Sequence, residues 1–361
     1  MKRTELLLLT LVFPVAFSAV AQCNLHNSLC SKRYNEVAYL TTHNAYNSTE
    51  NGFTLPNHNY NITSQLNFGV RGLMIDVYYN AGINLVYHGF PFLGTEPLTD
   101  VLTEIRLFLD ANPNEIVTII LECYVSSNAY EQDMITSGLL PYVYTHTGGQ
   151  WPTLQEMINA NERLVILSDA DDAAPGQEWY HYVWDYAVET HYSVYSSDGF
   201  TCDFNRGDSI NDLFILNHFI TDQTLGVGWE DSALIANSNP FFTLRAQTCQ
   251  QLKQKFPNFP TVDFYEVGDA LQVVDILNGI TPLNTNVIEY SDPLFGPNPV
   301  KDKLILRGSG ESVTLYDMMG NKVEPNSQSV TPNVVVIDVS NVSPGVYILE
   351  VNNRRSPFIK L

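Results

Sequence analysis

Between residues 34 and 280, short runs rich in β-branched and aromatic residues alternate with stretches whose apolar positions recur at helical spacing. Val37 to Thr42, Leu73 to Tyr78, Leu85 to Tyr87, Ile116 to Cys123, Leu164 to Leu167, Leu213 to Asn217 and Val262 to Tyr265 read as strands. Leu98 to Leu109, Met134 to Leu140, Leu154 to Asn159, Leu244 to Phe256 and Ala270 to Leu277 read as helices. Strand and helix in alternation predict parallel strands with helical crossovers, the α/β class. Several apolar runs end in polar, reactive residues: Thr42-His43-Asn44, Asp76, His88, Glu122, Asn217-His218 and Asp263. A TIM-type (β/α) barrel accounts for this, because its chemistry gathers at the carboxyl ends of its strands.

The pattern changes at both ends. Lys2 and Arg3, an apolar run to Phe17 and the triplet Ala19-Val20-Ala21 have the order of a signal peptide over 1–21. The run is short for a membrane span, which needs about 20 residues, and no second long apolar run follows. Residues 22–280 form the expected barrel domain. Residues 281–300, rich in Pro, Asn and Gly, read as a linker. Residues 301–361, with short strands and turns at Met319-Gly320-Asn321 and Pro344-Gly345, read as a small all-β sandwich.

Hydrophobic residues make up 45% of the chain and charged residues 16%, enough apolar material to fill a core. The net charge of -21 is concentrated in the middle: residues 22–300 carry 9 Lys and Arg against 32 Asp and Glu. Without a basic patch, the barrel is not expected to bind nucleic acid or anionic membranes, and it suits divalent cations. Export permits disulfides among the five cysteines. Cys23 with Cys30 is a close pair, Cys202 with Cys249 closes a long loop, and Cys123 is left as a buried thiol.

His43 and His88 stand at strand ends, and two imidazoles suit a reaction in which one group takes a proton and another gives one near neutral pH. Asp263 ends the last predicted strand, beside the first in a closed barrel, where a carboxylate sets the tautomer of His43 or serves structure alone. His218 in "LNHF" is either a substrate contact or a satisfied core histidine. His26, His58, His146, His181 and His191 receive no role. Asp169 to Asp172 read as a solvated acidic turn, since the calcium-loop glycine and distal Glu are absent.

The phrases "CSKRYNEVAYLTTHNAY", "ITSQLNFGVRGLMIDVYY", "LVYHG", "LTEIRLFLDANPNEIVTIILE", "FILNHF" and "VDFYEVGDALQVVDILNG" resemble, in order, the X-domain of phosphatidylinositol-specific phospholipase C and its secreted stand-alone relatives. The resemblance implies a secreted phosphoric diester hydrolase with His43 as general base and His88 assisting the leaving oxygen. It further implies Asn44, Asp76 and Glu122 as ligands of Ca²⁺. Met74 stands where the metal-dependent branch has a Glu, so a weaker calcium site is expected. The metal-free branch has an Arg where this chain has Asp76. Arg71 is either a phosphate contact or a salt bridge of the barrel floor or rim. The alternatives are a different phosphodiester substrate, such as a glycerophosphodiester or lysophospholipid, or a silent barrel that binds at a surface. The tail phrases "NPVKDKL", "LYDMMGNKV" and "VSPGVYILEV" resemble the type A sorting domain of the type IX secretion system, implying passage through that machinery to the cell surface or the medium.

Overall fold

A computed structural model describes residues 22–224, 227–280, 295–296, 300–307, 313–317, 321–331, 334–351 and 354–360. The expected signal peptide at 1–21 and most of the expected linker lie outside them. In chain order the first domain runs β1 (Thr41–Thr42), α1 (Ile62–Phe68), β2 (Gly72–Asn80), β3 (Ile83–Val86), β4 (Glu96–Pro97), α2 (Leu98–Ala111), β5 (Val117–Cys123), α3 (Ser127–Ser137), α4 (Leu154–Ala160) and β6 (Leu164–Ser168). It continues through β7 (Tyr180–Tyr182), α5 (Val183–Tyr186), β8 (Ala187–Thr190), β9 (Phe204–Arg206), β10 (Leu213–Asn217), α6 (Glu230–Asn237), α7 (Phe241–Lys253), β11 (Phe259–Val262) and α8 (Ala270–Leu277).

Eight of these strands pair in parallel in the order β7-β6-β5-β2-β1-β11-β10-β8. That is chain order wrapped around a circle, with the last strand returning beside the first, the order of a (β/α) barrel. Among the described residues no ladder joins β7 to β8, so the sheet curls with a seam there, and β9 adds antiparallel to β8. Alternation along each strand sorts its side chains to two faces. Ile119, Leu121, Ile166, Phe214 and Leu216 pack outward in one cluster with Leu98, Val101, Ile105 and Phe108 of α2. Ile120, Val165, Leu167, Leu213 and Ile215 fill the interior over a floor of Tyr34, Tyr39, Trp151 and Phe259.

Local rules explain most boundaries. Thr153 caps α4 in a reciprocal capping box with Glu156. Gly138, at φ +75°, ends α3 at Ser137, so the helix expected over Met134 to Leu140 lies earlier, at Ser127–Ser137. The last barrel strand also lies earlier than expected: Pro260 reads as a breaker, yet it pairs with Leu216 within the ladder. Asp263 therefore follows the strand directly.

The second domain begins at Phe295, inside the stretch read as linker. It comprises β12 (Phe295–Gly296), β13 (Lys303–Arg307), β14 (Val313–Asp317), β15 (Lys322–Val323), β16 (Ser327–Thr331), β17 (Val334–Asp338), β18 (Gly345–Val351) and β19 (Arg354–Lys360). Two antiparallel sheets, β12-β13-β17-β16 and β15-β14-β18-β19, share a core of Leu304, Leu306, Leu315, Ile337, Leu349 and Phe358. Disulfides join Cys23 to Cys30 and Cys202 to Cys249, and Cys123 is a buried free thiol.

Candidate active site

The carboxyl ends of the parallel strands surround a cavity of about 320 Å³. His43 follows β1, and its Nδ1 lies 3.0 Å from Oδ1 of Asp263, the residue after β11. The pair meets because β1 and β11 are neighbours in register, Thr42 opposite Val262. His88 follows the β2–β3 hairpin, and its Nδ1 lies 3.0 Å from Oδ2 of Asp76, inside β2. Both carboxylates are buried. A carboxylate at Nδ1 holds that nitrogen as the donor and leaves Nε2 of each ring for the cavity. The two rings are 6.4 Å apart, centre to centre, at 74°. The face of His43 also stacks on Phe219 at 4.0 Å, which fixes its plane.

The hydrogen bond from His88 to Asp76 raises the imidazole above its ordinary pKa of 6.5, favouring the proton-carrying form. On the neighbouring strand Glu122 stands opposite Asp76 in register. Burial, reinforced by the Asp76 charge, pushes its carboxyl upward. Glu122 accepts a hydrogen bond from the Tyr124 hydroxyl. Asn44, at φ +50°, donates its amide to Asn57 Oδ1 at 3.3 Å, so Oδ1 is the end available to the cavity wall it lines.

Asn44, Asp76 and Glu122 are hard oxygen donors on one wall, a set whose chemistry fits a cation such as Ca²⁺. Met74, on the same wall, adds only a soft thioether. Among the described residues, no three His, Cys, Asp or Glu side chains converge as a metal cage.

Arg71 and His218 lie away from the cavity. Arg71 precedes β2, at the opposite end of that strand from Asp76, and is buried against Glu115 at 2.7 Å with the Leu66 and Val70 carbonyls. A cation buried that deeply needs its carboxylate partner, which holds it in the floor. His218 is fully buried between the rings of Phe200 and Phe242. Its Nε2 donates to the Ala236 carbonyl, and its Nδ1 accepts from Arg245.

The cavity also contains residues that the sequence reading missed: Arg206, Glu189, Asp169, Trp184 and Tyr192. Arg206 donates Nε to Glu189 Oε1 at 2.6 Å, and its guanidinium lies 4.5 Å from the Trp184 ring and 5.0 Å from the Tyr192 ring. Glu189 is buried, with Asn205 and Asn217 as further donors. Asp169, expected in a solvated turn, accepts from the Cys123 backbone and faces the cavity. Glu189 carried a usable signal, a polar residue ending an apolar run. Arg206, on an antiparallel strand, carried none.

Residues 29–278 match the PI-PLC X family. The chain belongs to that family. A PI-PLC X domain-containing protein of Arabidopsis thaliana is 31% identical over 68% of this chain, which spans 62% of that relative's length. A PI-PLC X domain-containing protein of Arthroderma benhamiae is 25% identical, over 72% of this chain and 90% of its own. The phosphatidylinositol-specific phospholipase C of Staphylococcus aureus aligns at a TM-score of 0.48 with 14% identity, over 70% of this chain and 95% of its own. Within this PI-PLC X barrel His43, His88 and Asp76 line the cavity at the strand ends, with Asp263 buried behind His43. Residues 295–360 match the secretion system C-terminal sorting domain, which supports export of the PI-PLC X domain. No described helix is long and apolar enough to cross a membrane.

Proposed function

We propose that the chain is an exported phosphodiesterase that cleaves a phosphatidylinositol-type lipid through its phosphate. The observation that carries this reading is the pair of imidazoles facing one cavity, each backed at Nδ1 by a buried carboxylate. His43 Nε2 takes the proton of a hydroxyl neighbouring the phosphate, and that oxygen attacks phosphorus. The bond from phosphorus to the lipid alcohol breaks, and His88 delivers a proton to the departing oxygen. The first product is a cyclic phosphodiester. Water then opens it with the two histidines exchanging roles. Asn44, Asp76 and Glu122 would hold Ca²⁺, which when bound would offset charge building on the phosphate oxygens. Arg206, its charge balanced by Glu189, presents guanidinium N–H donors to the cavity and holds the head group.

A lipid substrate is supported by the surface beside His88. Phe90 and Phe92 stack at 5.4 Å and are 62% and 79% exposed, an apolar rim two and four residues beyond the histidine. The sorting domain supports delivery by type IX machinery to the cell surface or the medium.

Phosphorus NMR of the purified full chain with phosphatidylinositol, and separately with glycerophosphodiesters, in calcium and in excess EDTA, tests the proposal. A cyclic inositol phosphate that requires calcium and disappears in His43→Ala is the expected result. A folded His43→Ala with full turnover overturns the mechanism. Turnover of glycerophosphodiesters alone replaces the substrate, and no turnover of either favours a binding role.

A further inference from the structure

The loop between β1 and α1 touches both halves of the His43–Asp263 pair through two adjacent residues. Asn57, 3% exposed, donates Nδ2 to Asp263 Oδ1 at 2.9 Å. Its Oδ1 accepts from Asn47 at 2.7 Å and from Asn44 at 3.3 Å, and its backbone carbonyl accepts from Phe264 N–H at 2.8 Å. His58, fully buried, donates Nε2 to the His43 carbonyl at 2.8 Å. The residues that follow the pair, Asn44 and Phe264, have φ of +50° and +44°. For a bulky residue such as Phe264 this conformation persists only where the surroundings impose it.

Asp263 Oδ2 is buried without a hydrogen-bond partner, so both side-chain donors, His43 and Asn57, converge on Oδ1. With Asn57 removed, His43 would be the one side-chain donor left to that carboxylate, and the Asn44 amide would lose its partner. We infer that Asn57 is a positioning residue: one side chain sets Asp263 against His43 and turns the Asn44 amide, so that the base and this part of the cavity wall are aligned together. The inference rests on the reading of His43 as general base. Asn57 acts through Asp263 and Asn44 and does not itself line the cavity.

The test is a double-mutant cycle on the full chain, with phosphatidylinositol in detergent micelles as the probe. Asn57→Ala should lower kcat by about 10- to 100-fold, as the loss of a supporting hydrogen bond does elsewhere, with KM changed by less than about twofold. In an Asp263→Ala background the same substitution should lower kcat by clearly less than in the native chain, since one of the two groups it acts through is gone. Additive losses, or an unchanged kcat in Asn57→Ala, overturn the inference. His43→Ala separates the two failures: if it retains turnover the general-base reading falls, and if it is inactive while Asn57→Ala is unaffected only the positioning role falls. A readout independent of activity is the downfield proton resonance of His43 Nδ1–H. It should be absent in His43→Ala and shifted or lost in Asn57→Ala; an unchanged resonance overturns the inference. Should Asn57→Ala fail to fold, Asn57→Leu retains the branched shape while removing the donor and the acceptor without adding charge, and the same outcomes apply.

Discussion

The carboxylate of Asp263 has almost no clearance on its unpaired side. A Cβ placed on Gly228 would stand 2.2 Å from Oδ2, far inside contact distance. Gly228→Ala must therefore displace the loop or Asp263, and Asp263 orients His43. The expected result is a loss of kcat of at least about tenfold, in line with other supporting groups, in a protein whose circular dichroism is unchanged. Retained kcat would show that the loop, not the carboxylate, yields. At this scale the sequence was informative about one kind of residue only. His43, His88, Asp76, Glu122 and Asp263 were visible because each interrupts or follows an apolar run. Asn57 and Gly228 sit in loops with no pattern, and their importance comes from what the fold brings against them. Arg71 and His218 resembled site residues by type and position, but a polar group near a strand end is just as often one that the core needs satisfied.

Among the elements, the β8–β9 pair supplies both Glu189 and Arg206 to the site. Its sequence gave little sign of structure. β7, β8 and β9 are three, four and three residues long, and the buried His181, Glu189 and Thr190 break the apolar pattern. The longer strands β5, β6 and β10 and helices α2 and α8 were legible because length lets periodicity emerge. Cys202, two residues before β9, is tied to Cys249 on α7 across a separation of 47 residues. By loop entropy that link stabilises the fold by about 4 kcal/mol, against about 2 kcal/mol for the seven-residue Cys23–Cys30 loop. Replacing Cys202 and Cys249 by Ser should lower the melting temperature more than replacing Cys23 and Cys30. It should also raise KM more than it lowers kcat, because Arg206 is loosened while the histidines are not. Kinetics on phosphatidylinositol beside thermal melts check both statements, and equal effects of the two pairs on KM would contradict the second.

Across the whole molecule, four histidines are held below their ordinary pKa by burial: His58, pushed down to about 4, with His146, His181 and His218. The folded chain keeps them neutral while the unfolded chain protonates them below about pH 6.5. The contribution of His58 to stability is therefore fully present above about 6.5 and is lost as pH falls toward 4, and the other three act in the same direction. For His58 alone this amounts to about 3 kcal/mol. Glu96, raised to about 7 by burial, acts in the opposite sense over part of the same range. The histidine contribution is isolated by comparing melting temperatures at pH 7 and pH 4.5 in the native chain and in His58→Gln. The fall on acidification should be smaller in the variant, and an identical fall would remove His58 from the account. The barrel's seam has a further consequence at this scale. An uncapped sheet margin is a template on which a second chain can grow a strand, the first step toward fibrils. Here both margins, β7 and β9, are only three residues long, too short to nucleate such growth, so the sheet can stay open at its seam without seeding fibrils.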